Sequence, residues 1–210
     1  MRLIETLVLR RPQLILLLLL LFGASVVGAS QARRPTNAHP SQGDSAFARW
    51  VEFKSKEGKF TILFPDAPKV RTPDDDEPIG GLLMYYATYQ SSIKYSAIYI
   101  EYPENLEAPV VAKDVLDRAR DAGIAASAEA QERPRILSET DINFEGHPAR
   151  LLRIAMSGGR STWCKFIVVK NRFYFLEVVL PKPHGKTGGD EATKIARFFL
   201  DSFRLTPETA

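Results

Sequence analysis

The sequence predicts an α+β domain: an antiparallel β-sheet covered by helices on both faces, a three-layer α/β/α sandwich. Three observations point to it. Residues 134–180 hold four strand-like runs joined by tight turns, and strands joined that way must run antiparallel. Two stretches, 109–130 and 190–203, repeat apolar residues at helical spacing. The run 173–180 is apolar on both faces, with Tyr174, Leu176, Val178 and Leu180 on one and Phe173, Phe175 and Val179 on the other. A strand of that kind is covered on both faces, and the two helices are the available covers.

The elements follow in order. Residues 50–53 and 59–64 read as a hairpin around Lys56-Glu57-Gly58, with Phe60, Ile62 and Phe64 sharing one face. Pro65 and Pro68 end it, and residues 69–80 form a polar loop. Residues 82–90 and 93–102 form a second hairpin, rich in Tyr and β-branched residues. The first helix buries Ala112, Val115, Leu116, Ala119, Ala122 and Ala126. Strands at 134–144, 149–156, 161–170 and 173–180 are linked by turns at 145–148, at Ser157-Gly158-Gly159-Arg160 and at Asn171-Arg172. The closing helix has Thr187 and Asp190 in a capping pattern and a stripe of Ala192, Ile195, Ala196, Phe199 and Phe203.

The N-terminus reads as an export signal. Arg2, Arg10 and Arg11 precede an aliphatic run from Leu14, and Ser30-Gln31-Ala32 offers small residues where a signal peptidase cuts. The alternative is an uncleaved signal anchor, but Leu14 to Ala29 is sixteen residues, short of the ~20 that span a bilayer. The expected organisation is therefore a signal peptide at 1–32, a polar linker at 33–48, one domain at 49–206 and a tail at 207–210. The expected location is periplasmic or extracellular.

Charge and cysteine content narrow the function. The leader takes three arginines and one glutamate with it, leaving 25 basic and 24 acidic residues. That balance is no nucleic-acid footprint. Cys164 is the sole cysteine, so no intramolecular disulfide forms; it lies in a strand-like run and reads as a buried thiol.

The stretches EGKFTILFPDAP (57–68), VVKNRFYFLEVVLP (168–181) and ARFFLDSFRL (196–205) resemble the PsbP-like superfamily. It includes the photosystem II extrinsic protein PsbP, DcrB-type envelope proteins and eukaryotic Ran-binding import factors. The match is most similar to its exported bacterial members of unassigned function. It covers about residues 50–205 through pattern and element order, without a site motif to carry over. The resemblance implies the fold and a binding or assembly role without catalysis.

The motifs that carry chemistry are weak. Gly185-Lys186-Thr187 lacks the glycine five positions earlier that a phosphate-binding loop requires; Leu180 stands there. Asp74-Asp75-Asp76-Glu77 is contiguous rather than spaced for calcium. His39, His147 and His184 have no zinc-ligand spacing. Ser157-Gly158-Gly159-Arg160 is no nucleophile elbow. Glu177, on an apolar strand, needs a partner, for which Arg153 and Lys165 on neighbouring strands are candidates.

No catalytic, metal or cofactor residue is therefore expected, and no nucleic-acid partner or stable membrane span after cleavage. The candidate partner surface is Tyr95, Tyr99, Tyr102 and Lys94, with alternation placing Tyr102 on the face opposite Tyr95 and Tyr99. The expected function is that of an exported, non-enzymatic binding or accessory protein of the cell envelope, with a protein partner. The alternative is a small-ligand protein or hydrolase using a cleft near the tyrosine-rich hairpin.

Overall fold

The computed structural model of the chain describes residue 47 and residues 49–71, 83–89, 93–102, 111–126, 134–183 and 188–207. The leader, most of the linker, the acidic run 74–77, His39, His184 and Gly185-Lys186-Thr187 lie outside them.

The chain opens with an antiparallel hairpin of β1 (Val51–Ser55) and β2 (Phe60–Phe64). Its turn is tight for a physical reason. The Gly58 amide donates to Ser55 Oγ at 2.9 Å, and a Cβ on Gly58 would stand 2.6 Å from the Phe60 ring. Next come β3 (Lys69–Arg71), β4 (Leu83–Tyr89), β5 (Ile93–Glu101) and helix α1 (Ala112–Ala126). The meander β6 (Arg135–Phe144), β7 (His147–Ala155), β8 (Ser161–Val169) and β9 (Arg172–Leu180) follows. Helix α2 (Gly188–Asp201) and the short β10 (Arg204–Leu205) close the domain.

Seven strands form one antiparallel sheet in the order β3-β4-β5-β9-β8-β7-β6. β1, β2 and β10 form a second, three-stranded sheet. This corrects the expected α/β/α sandwich. Among the described residues the protein is mostly β, with ten strands in two sheets and two helices. One face of the large sheet is not covered by a helix alone: α2 shares it with the small sheet. Phe60 on β2 packs 6.0 Å from Tyr174 and 6.4 Å from Tyr99 between ring centroids, and Phe64 packs 5.3 Å from Phe199 of α2. The physical reason is that a strand apolar on both faces must be covered, but its pattern does not say by what. The row Phe60, Ile62, Phe64 supplies half of that cover.

The core is split by the sheet. On the α2 face Tyr95, Tyr99, Tyr174, Leu176 and Val178 pack with Phe60, Phe64, Phe199 and Phe203. On the α1 face Ile98, Ile100, Leu152, Phe166 and Phe175 pack with Val115, Leu116 and Ala119. Phe203 lies beyond the end of α2 yet is fully buried, on the way into β10. The Tyr174 hydroxyl donates to the Gly58 carbonyl at 2.9 Å and ties the two sheets together.

Candidate functional site

The tyrosines of the second hairpin divide between the faces. Tyr95 and Tyr99 are 0% and 4% exposed and belong to the α2-face core, while Tyr102 packs against the opposite cluster. What the candidate surface leaves at the solvent is therefore chiefly Lys94, since Tyr102 is partly buried and its hydroxyl is sealed. Burial pushes the Tyr102 hydroxyl above the usual range, opposed by the nearby Arg118 charge.

Lys94 instead serves Glu177. Its Nζ lies 3.7 Å from Glu177 Oε2, and Ser96 Oγ donates to the same oxygen at 3.4 Å. The expected partners Arg153 and Lys165 are corrected by parity: Glu177 points to the α1 face with Ser96 and Cys164, its neighbours in register. Arg153 and Lys165 point to the other face. Burial raises the Glu177 carboxyl, against the pull of Lys94 and Ser96. Burial, with the Glu177 charge, raises the Cys164 thiol well above its ordinary range.

Lys165 is buried for a structural purpose. Its ammonium donates to the Leu200 carbonyl at 2.6 Å and meets Asp201 Oδ1 at 3.0 Å, at the C-terminus of α2. A cation there complements the helix dipole.

Two arginines stand out on β7: Arg150, which the sequence did not bring forward, and Arg153, which it offered only as a partner for Glu177. Arg150 is 4% exposed at its side chain and reaches three carboxylates. Its Nη1 lies 2.8 Å from Asp117 of α1 and 3.0 Å from Glu139 of β6, and its Nε donates to Asp141 of β6. Arg120 of α1 joins them, 3.5 Å from Glu139. Lys113 and Arg150 hold the Asp117 carboxyl down to about 2. The arginine thus clamps helix to edge strand.

Arg153, on the opposite face, has no carboxylate beside it among the described residues. Its guanidinium carbon sits 4.8 Å from the Trp163 ring centroid, and Arg153 Nε and Trp163 Nε1 are buried without hydrogen-bond partners. Its cross-strand neighbours in register are Ser138 and Trp163.

Beside Arg153 lies β6, the edge of the seven-stranded sheet. Eight of its ten residues are exposed, including Ile136 at 38% and Leu137 at 40%. A bulge between Ile136 and Ser138 leaves Leu137 without a partner in register. The acids that would guard such an edge, Glu139 and Asp141, point to the α1 face and are held by Arg150. On the α2 face β6 presents the uncharged Ser138 and Thr140 and, before the bulge, Arg135 in register with Ala155, so no acid guards that face. Among the described residues no strand pairs with its outer side, and a long edge of that kind is a template for another strand.

Among the described residues, no group of three or more His, Cys, Asp or Glu is placed to hold a metal ion. Nor is any helix among them long and apolar enough to cross a membrane.

No protein-family model matches the sequence, and no curated protein matches it. Solved structures do match. The cyanobacterial PsbP protein of Synechocystis, CyanoP, is similar over 79% of this chain and 98% of its own, with 13% identity and a TM-score of 0.55. The chain has a PsbP-like fold. The resemblance seen in the sequence motifs is thereby borne out as a fold. A Pseudomonas aeruginosa protein of unknown function also matches the PsbP-like chain, over 78% of it and 100% of its own length, at 16% identity and a TM-score of 0.37.

Proposed function

We propose that this protein is an exported accessory protein of the cell envelope that binds a protein partner along β6 and performs no catalysis of its own. The observation that carries the reading is the open edge of the large sheet: a ten-residue strand, exposed along most of its length, with Ile136 and Leu137 at the solvent. Strand addition to such an edge derives affinity from main-chain hydrogen bonds and specificity from alternate side chains. The PsbP-like fold is compatible with an accessory or binding role, and the leader pattern at 1–32 supports export.

A photo-crosslinking residue at Leu137, in the full chain expressed in its own cell, tests this reading. The expected result is a discrete adduct in the envelope fraction that disappears with Ile136→Lys. The same probe at Val51, which is 45% exposed on the small sheet, should give none. Equal labelling from both positions, or none from Leu137, would overturn the reading. Intact mass of the exported chain should begin at Arg33.

A further inference from the structure

We infer that Arg153, stacked on Trp163, is an anion-recognition site that takes a carboxylate of the segment docked on β6. This rests on the reading of β6 as a protein-binding edge. Four described arginines are buried or partly buried and placed in the sheet or against it: Arg120, Arg150, Arg153 and Arg172. Arg120 and Arg150 meet Glu139 and Asp117, and Arg172 meets Glu101 at 2.8 Å. Arg153 alone among these four meets no carboxylate. A cation drawn partly out of water without a counter-ion is costly. The Trp163 ring offsets part of that cost by facing the guanidinium.

The geometry leaves the right atoms available. Nε is sealed from solvent, whereas the Nη groups are not among the buried atoms that lack partners. They are the donors through which a guanidinium grips a carboxylate end-on with two parallel bonds. Arg153 stands one strand in from the edge, and the residue between it and the solvent edge is Ser138, whose short side chain is no barrier. The acids of β6 cannot serve instead, because Glu139 and Asp141 face the other side and are engaged there. The charge that this face lacks is negative, so the segment it fits is an extended one with an acidic residue near Ser138.

Two synthetic peptides test the site on the full chain: acetyl-Thr-Val-Thr-Asp-Thr-Val-Thr-amide and its Asn counterpart, followed by NMR. The β6 amides report edge docking. The Trp163 indole N–H, assigned by its loss in Trp163→Phe, reports the anion site. The expected result is that both peptides shift β6, that the Asp peptide binds about fivefold or more tightly, as a partly desolvated ion pair allows, and that it alone moves the indole signal. Arg153→Gln should equalise the two peptides and leave β6 docking in place; Arg153→Lys should restore only part of the preference, because ammonium lacks the planar fork. Equal binding of both peptides to β6, with the indole signal still, would overturn this inference and leave the edge reading intact. An indole shift with acetate but no Asp preference would reduce the site to adventitious ion binding and overturn it as well. No shift of β6 with either peptide would overturn the edge reading, and this inference with it.

Discussion

Strand β7 turns one arginine to each face of the same sheet, and the two faces treat them differently. On the α1 face Arg150 is buried and shared among Asp117, Glu139 and Asp141. On the α2 face Arg153 has an aromatic ring beneath it and, among the described residues, no carboxylate. The difference comes from coverage. Helix α1 packs over β7 and β8, so whatever points that way must be neutralised inside the fold. Helix α2 packs chiefly on β9; on that side Ala149, Ile142 and Phe144 still join the core, whereas Ser138 is exposed and Arg153 half-buried. One residue type therefore serves as a structural clamp where the sheet is covered and as a group available for recognition where it is not.

The largest effect belongs to the covered centre. Phe199 is fully buried and touches Tyr95 and Phe64. Phe199→Ala should cost about 3–5 kcal/mol through lost transfer energy and the cavity left behind, read as a drop in the urea midpoint. A loss below about 1 kcal/mol would mean that α2 is an appendage rather than a wall of the core.

Next comes the clamp. Arg150→Met removes the charge that gathers three carboxylates, and the partners are partly solvated, so the expected cost is about 2–3 kcal/mol rather than the full penalty of a broken buried pair. The acid limb sharpens the point. Asp117 is held down to about 2 from an ordinary 3.8 by Lys113 and Arg150. A depressed carboxyl contributes stability that is present above its unfolded value and lost as pH falls through its folded one. Urea midpoints of the wild type should therefore fall between about pH 4 and pH 2, and Arg150→Met should fall less steeply. Identical slopes would show that Arg150 does not set the Asp117 carboxyl.

The smallest stability effect belongs to Arg153. Arg153→Gln gives up one partly exposed cation–π contact, about 0.5–1 kcal/mol, with its consequence confined to binding. A loss as large as that of Arg150→Met would erase the contrast between the two faces.

Much of the fold was legible in the sequence for reasons that can be named. The alternation of Phe60, Ile62 and Phe64 and the two-faced apolar run at 173–180 are enforced by burial, so pattern and structure agree. The turn at Glu145-Gly146 was legible because Gly146 takes the left-handed region, at φ 87°, whereas the turn read at Asn171-Arg172 lies one residue earlier, at Lys170-Asn171, because Lys170 at φ 53° carries no turn signal in the sequence. The edge strand β3 and the closing β10 were not legible, because three and two residues carry no periodicity. Nor was the second sheet: the pattern in β2 shows one buried face without naming what lies against it. The site was harder still. Arg150 and Arg153 sit three apart on a strand, so alternation alone puts them on opposite faces. Which face is covered depends on the placement of α1 and α2, which no local pattern encodes. The tyrosine cluster misdirected attention for the same reason, since Tyr95 and Tyr99 read equally as rim or core until Phe199 is placed over them.

Amide hydrogen exchange on the full chain, alone and with the Asp peptide, tests the central claim most directly. Amides of β5, β9 and β8, paired on both sides and buried, should exchange slowest. Alternate amides of β6 should exchange fast in the free protein and become protected with the peptide, while the β3 edge stays unchanged. If β6 is already as slow as β8 without a partner, or if the peptide protects another region and not β6, the claim that this edge is the protein's binding site is wrong.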